Sequence, residues 1–335
     1  RSTRKESSAA SDVYKRQSMD STFAFVFPGQ GSQSVGMLDA WGDHPVVRAT
    51  LEEASTALGE DIAKLIHEGP KEALALTTNT QPVMLVAGVA AWRVWEAEGG
   101  ATPALVAGHS LGEYSALVAA GALSLADAAP LVRFRAQAMQ DAVPVGVGAM
   151  AAVLGLPAGI VIDTCEEVAR GFGDGSGEVV EAVNFNDPLQ TVIAGSKAAV
   201  DAACEALKKA GAKRALILPV SAPFHSSLMR PAAERLKEAL ASTSFAVPRI
   251  TLINNIDVTE QSEPDAIRQA LYRQAFGPVR WVETLHTFKT RGITHIVECG
   301  PGKVLSGMTK RIAPELTAVA VYDPATLAEA QAALA

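Results

Sequence analysis

Ala104-Leu105-Val106-Ala107-Gly108-His109-Ser110-Leu111-Gly112-Glu113-Tyr114 carries the reading that decides the fold. Four apolar residues run into a glycine, a serine stands two places on, a second glycine follows it, and then a helical pattern begins. This is G-x-S-x-G between a strand and a helix, the context a nucleophile elbow requires. The reason is steric. A serine on so sharp a turn adopts strained backbone geometry, and glycines at 108 and 112 let neighbouring segments approach closely. A helix that starts just after Ser110 also aims its N-terminal amides at the reacting centre, where they stabilise negative charge. The same letters suit an ordinary glycine-rich strand-to-helix turn with a capping serine.

Outward from this turn, short apolar runs alternate with longer helical patterns. Strands are predicted at 23–27, 105–108, 149–154, 179–183, 191–194, 215–220, 250–253, 295–297 and 318–321. Helices are predicted at 81–98, 124–142, 158–170, 197–210, 228–241, 265–276, 282–291 and 303–312. Strands separated by helices need crossover connections, so the class is α/β with a mostly parallel, helix-covered sheet. Pro82 is placed in the first turn of its helix, where a missing N–H has no partner to lose. From about 145 to 221 the order becomes strand, helix, strand, strand, helix, strand, which reads as a ferredoxin-like unit inserted into the larger body. That leaves 19–144 and 222–335 for the large subdomain.

Composition agrees. A chain of 335 residues suggests two units or one elaborated one, and it can bury about three-quarters of its unfolded surface without disulfides or metal. With 48% hydrophobic and 19% charged residues it is not a disordered chain. Cys165, Cys204 and Cys299 fit neither a disulfide framework nor a zinc site, which favours a reducing, cytoplasmic location. A net charge of −7 argues against nucleic acid as a partner. Residues 1–18 are polar, lack the apolar stretch of a secretory signal, and read as a non-native or disordered leader before Met19. The most apolar long stretch, Val83 to Trp95, contains Arg93 and is too short to span a membrane.

A serine hydroxyl needs a base, and histidine is the usual one at neutral pH. Of His44, His67, His109, His225, His286 and His295, His225 stands out, because it follows a strand and a short loop and precedes a helix. Loops at the carboxyl ends of parallel strands are where α/β sheets place their sites. His295, at the start of a late strand, is the nearest competitor, and His109 should diverge from its neighbour Ser110. None of Asp163, Asp174, Asp187 and Asp201 follows an obvious core strand. A dyad whose imidazole is oriented by a backbone group therefore fits as well as a triad.

Arg135 falls within the apolar stripe of Ala128, Leu131, Ala138, Met139 and Ala142, whereas Arg133 points to the opposite face. A guanidinium on a buried face must have an anionic partner. That partner is either an acid of the protein or the carboxylate of a substrate, which guanidinium suits better than ammonium. The first strand ends in Phe27-Pro28-Gly29-Gln30-Gly31-Ser32-Gln33, whose backbone could supply an oxyanion donor. It has neither G-x-G-x-x-G nor G-K-[ST], so a phosphate loop is disfavoured.

Taken in order, Pro28 to Gln33, Gly108 to Tyr114, Arg135, Phe224-His225 and Gly300-Pro301-Gly302 make the chain resemble the malonyl-CoA:acyl-carrier-protein transacylases of type II fatty acid synthesis. The resemblance runs from about Met19 to the C-terminus. It implies a hydrolase-like large subdomain with a ferredoxin-like small one. It further implies that Ser110 is the malonylated nucleophile, His225 its base and Arg135 the partner of the free malonyl carboxylate. Gln30 and Leu111 would give backbone amides to the oxyanion. Gln274 is similar to the family glutamine whose backbone carbonyl orients the histidine, although Gly277 stands where many relatives carry asparagine. Met139 and Phe224 would shape the acyl pocket with Gln30. No cofactor or metal is implied; the substrates are malonyl-CoA and the phosphopantetheine thiol of acyl carrier protein, and the enzyme would be a monomer acting in the cytoplasm without membrane or nucleic acid. Lys208, Lys209, Lys213, Arg214, Lys303, Lys310 and Arg311 are candidates for docking the acidic carrier. Alternatives on the same elbow are a serine thioesterase or hydrolase, an acyltransferase of a polyketide pathway, and a non-catalytic scaffold.

Overall fold

The structure is a computed structural model that describes residues 22–220 and 222–335. The leader reading at 1–18, Met19 and Ser221 lie outside the described residues. In chain order the elements begin with β1 (Phe23–Phe27), α1 (Pro45–Leu58), α2 (Ile62–Glu68), α3 (Lys71–Ala75), α4 (Thr77–Ala97), β2 (Leu105–Gly108), α5 (Gly112–Ala119) and α6 (Leu125–Asp141). There follow β3 (Gly148–Leu154), α7 (Ala158–Gly171), β4 (Val180–Asp187), β5 (Gln190–Ser196), α8 (Lys197–Lys209) and β6 (Arg214–Ile217). The chain closes with α9 (Arg230–Ala241), β7 (Thr251–Leu252), α10 (Pro264–Gln274), α11 (Trp281–Thr290), β8 (His295–Cys299), α12 (Val304–Ile312), β9 (Thr317–Val321) and α13 (Pro324–Leu334).

Phe23-Ala24-Phe25-Val26-Phe27 contains no polar residue because neither of its faces meets water. Phe23, Phe25 and Phe27 join one apolar cluster with Trp92 and Trp95 of α4. Ala24 and Val26 join another with Ala107, Trp281 and Phe288 on the opposite face. A strand buried on both sides is the mark of a parallel sheet covered by helices. The sheet is parallel throughout, in the order β7-β2-β1-β8-β9.

The second sheet is antiparallel, in the order β4-β5-β3-β6. Renumbered within the unit this is 2-3-1-4, the ferredoxin-like arrangement that the strand and helix order implies. One face, with Ala149, Ala151 and Val153, packs on α7 and α8. The other, with Met150, Val183, Val192 and Ala194, meets Leu218, Val220 and Phe224. That second face turns towards the carboxyl ends of the parallel strands.

The sequence reading errs at α4. The helix starts at Thr77 rather than Gln81, and Pro82 lies inside it rather than in its first turn. Thr80 Oγ1 donates to the carbonyls of Leu74 (2.6 Å) and Leu76 (2.9 Å), and Asn79 Nδ2 donates to Ala73 (3.0 Å). These side-chain bonds close the polar entry turn, and Pro82 gives up a single bond to the Thr78 carbonyl. No helix of the described residues is long and apolar enough to cross a membrane.

Candidate active site

The elbow forms as the steric argument requires. Ser110 has a φ of 53°, a left-handed value that a non-glycine residue holds only where its surroundings enforce it. A Cβ on Gly108 would lie 1.9 Å from the Gly112 carbonyl, and one on Gly112 would lie 2.0 Å from the Phe27 oxygen. Only glycine permits strand, turn and helix to meet there. Asn255, three residues past β7, braces the turn from the side. Its Oδ1 accepts the Ser110 N–H at 2.8 Å and its Nδ2 donates to the Gly108 carbonyl at 2.6 Å.

His225 reaches this serine from the loop after β6, also with a left-handed φ, 65°. Its Nε2 lies 2.7 Å from Ser110 Oγ, and its Nδ1 lies 2.8 Å from the Gln274 main-chain carbonyl. A carbonyl only accepts, so Nδ1 carries the proton and Nε2 offers its lone pair to the hydroxyl. The imidazole is thus oriented by a backbone carbonyl. Burial, followed by the nearby charge of Arg135, lowers its pKa to about 3 and keeps it neutral.

Arg135 is 2% exposed and projects from α6 into the same space. Its guanidinium donates to Gln81 Oε1 (2.6 Å), Gln274 Oε1 (3.0 Å) and Ser110 Oγ (3.4 Å), and it stands over the Tyr114 ring, 5.4 Å from the centroid. No carboxylate among the described residues forms an ion pair with it. Arg133, on the other face, pairs with Glu60. Burial lowers the Arg135 pKa from its usual value, opposed by the charges of its neighbours.

Behind the guanidinium lies Glu113, 1% exposed. It accepts the Asn255 N–H at 2.7 Å and Gln274 Nε2 at 2.9 Å. Burial raises its pKa to about 7 against the pull of these bonds and of Arg135. Gln274 Nε2 also donates to the Ser110 carbonyl at 3.0 Å. The Gln30 and Leu111 main-chain N–H groups make no hydrogen bond to any described residue, and both residues line the pocket that holds Ser110. That pocket, of about 130 Å³, is bounded by His225, Arg135, Met139, Met150 and Phe224. At roughly 30 Å³ per water it has room for a short acyl group.

The other sequence candidates fall elsewhere. His109 turns away from Ser110, bonds Asn186 Oδ1 at 2.8 Å, and packs on Trp281, joining the elbow to β4. His295 sits at the amino end of β8, opposite the site. Asp187 pairs with Arg311 and Asp201 with Lys197. Lys208, Lys209, Lys213, Arg214, Lys303, Lys310 and Arg311 are all exposed; Lys208 pairs with Glu205, and Lys303 lies over Tyr322. Gly300-Pro301-Gly302 packs on Pro28 and shapes the first loop. No group of three or more His, Cys, Asp or Glu among the described residues could hold a metal ion.

Sequence reasoning missed Gln81, Glu113, Asn186 and Asn255. Asn255 was within reach of it, since an asparagine just past a strand sits at the carboxyl edge where sites form. Gln81, a lone amide opening an apolar helix, carries a weaker signal.

Fold and site together define the class: an α/β protein able to carry an acyl group on a serine beside a neutral imidazole and a buried cation. The acyl transferase domain model matches residues 24–322. The malonyl CoA-acyl carrier protein transacylase of Salmonella typhimurium is 52% identical over 309 residues, 92% of this chain and 98% of that one. The crystal structure of the acyl-carrier-protein S-malonyltransferase from Burkholderia pseudomallei superposes with a TM-score of 0.90 at 61% identity, covering 93% of this chain and 99% of that one. A malonyl transacylase solved in complex with a type II polyketide acyl carrier protein matches with a TM-score of 0.90 at 49% identity, covering 93% and 100%. The chain belongs to the malonyl-CoA:acyl-carrier-protein transacylase family of acyltransferases.

Proposed function

We propose that this protein moves the malonyl group of malonyl-CoA to the phosphopantetheine thiol of acyl carrier protein in fatty acid biosynthesis, through a malonyl ester on Ser110. The malonyl carboxylate pairs with Arg135. His225 Nε2 takes the Ser110 proton as Oγ attacks the thioester carbonyl, and the oxyanion is held by the Gln30 and Leu111 amides. The C–S bond breaks and the CoA sulfur recovers the proton from the imidazolium. The carrier thiol then gives its proton to His225 and attacks the ester, releasing Ser110 in a ping-pong cycle. Gln274 orients His225 through its carbonyl, and Met139 and Phe224 bound the acyl group. No cofactor takes part, the enzyme acts as a monomer, and the three buried free cysteines fit the reducing cytoplasm.

The observation that carries this reading is a buried guanidinium 3.4 Å from the nucleophile, with no carboxylate among the described residues paired to it. A hydrolase of uncharged esters would have no use for that charge, whose burial is costly. Boundaries at 144/145 and 221/222 are supported by the separate apolar cluster of the antiparallel sheet. The exposed lysines and arginines after α8 and along α12 suit docking of an acidic carrier.

Intact-mass spectrometry after incubation with malonyl-CoA tests the proposal. The expected result is a malonyl adduct on Ser110 that the carrier thiol removes faster than water does. Rapid release of free malonate would indicate a hydrolase, and absence of any adduct would remove catalysis altogether.

A further inference from the structure

Arg135 touches no carboxylate among the described residues, yet Glu113 stands one hydrogen-bonded side chain away from it, and the mechanism above makes no use of that acid. The link is Gln274. A side-chain amide has one accepting and one donating end, so it cannot serve the same neighbours both ways round. With its Nε2 on Glu113 (2.9 Å) and on the Ser110 carbonyl (3.0 Å), its Oε1 turns to Arg135 (3.0 Å). The Ser110 carbonyl and an ionised Glu113 carboxylate both only accept, so together they hold the amide with its Oε1 on Arg135. Its other oxygen takes the Asn255 N–H (2.7 Å), and Asn255 in turn braces the strained Ser110 turn.

We infer that Glu113 is a positioning residue that sets selectivity for carboxylate-bearing acyl groups, by holding the Gln274 amide in place with its Oε1 on Arg135. The inference rests on the Arg135 reading given above.

Glu113→Gln keeps the shape but replaces one accepting oxygen with an NH2. The Asn255 N–H belongs to the main chain and cannot turn, so the remaining oxygen of the new side chain stays with it. The new NH2 then confronts the Gln274 NH2, which keeps the Ser110 carbonyl as its acceptor, and the amide is pushed aside. Its Oε1 moves off the guanidinium, and Arg135 loses one of the acceptors that hold it in place. Gln274→Met removes the amide while keeping the main-chain carbonyl that orients His225, so it carries the test if Glu113→Gln does not fold.

The experiment measures malonyl and acetyl transfer from their CoA thioesters to carrier protein at pH 8, where Glu113 is ionised. The variants are Glu113→Gln, Gln274→Met, Arg135→Ala and the Glu113→Gln/Arg135→Ala double. The malonyl-to-acetyl ratio is expected to fall about tenfold in Glu113→Gln and in Gln274→Met, the scale of a charge-assisted hydrogen bond lost. In the Arg135→Ala background Glu113→Gln is expected to lower the ratio no further, as for residues acting in series. A wild-type ratio in both Glu113→Gln and Gln274→Met, or a full further drop in the double variant, would overturn the inference. If Arg135→Ala alone leaves the ratio unchanged, the carboxylate-pairing reading fails and this inference falls with it. If Arg135→Ala lowers the ratio and neither of the other two does, only this inference fails.

Discussion

His225, the base of the proposed reaction, is kept neutral by where it sits. Burial acts first and the charge of Arg135 second, and both disfavour imidazolium, which puts the pKa at about 3. In the proposed reaction a malonyl carboxylate on Arg135 would cancel the second influence, so the substrate itself would strengthen the base that activates its attacker. The sign of the pH dependence follows. The neutral imidazole is the active form, and a lowered pKa keeps it populated far into acid. With acetyl-CoA, which does not engage Arg135, the rate of Ser110 acylation should stay level within about twofold from pH 8 to pH 5.5. A fall with a midpoint near 6.5 in stopped-flow acylation would mean an imidazole of ordinary basicity and would remove the burial argument.

The elements place these groups through contacts too close for any side chain but hydrogen. At Gly112 an added methyl would meet the Phe27 carbonyl at 2.0 Å, so β1 and α5 could not keep their spacing. Gly112→Ala is therefore expected to lose about 1–3 kcal/mol of stability or more, read as a lower urea midpoint. A change within about 0.5 kcal/mol would show that the close approach is dispensable. These same contacts explain what could be read in advance. Strand–turn–helix at Gly108 to Gly112 is a local pattern, and all nine predicted strands appear with ends shifted by a few residues. Helices α1, α2, α3 and α13 escaped because small residues and early polar ones blur their period. α1, for instance, buries only Val47, Thr50, Leu51 and Ala54. Ser110, His225 and Arg135 were legible because each breaks a pattern: a serine between glycines, a histidine past a strand, a cation in an apolar stripe. Glu113 and Gln81 were not, because their meaning depends on partners between 54 and 161 residues distant.

Across the whole molecule the pocket exists only where the two sheets face one another. The parallel sheet supplies the loop of Gln30, the elbow and Asn255 at its carboxyl edge, while the antiparallel sheet closes the cavity with Met150 and Asn184. His109 with Asn186, and Asp187 with Arg311, tie the two together (2.8 and 2.6 Å). Arg135 enters from α6 among Gln81, Tyr114, Ser110 and Gln274, and its burial keeps the charge strong for an anion in the pocket. Arg135→Ala tests this directly, measured as steady-state transfer of malonyl and of acetyl groups to carrier protein. Malonyl transfer is predicted to fall about a hundredfold or more, the cost of removing one partner of a buried charge pair, while acetyl transfer changes less than about tenfold. An equal fall in both would contradict it, because the guanidinium would then hold the fold together rather than choose the substrate.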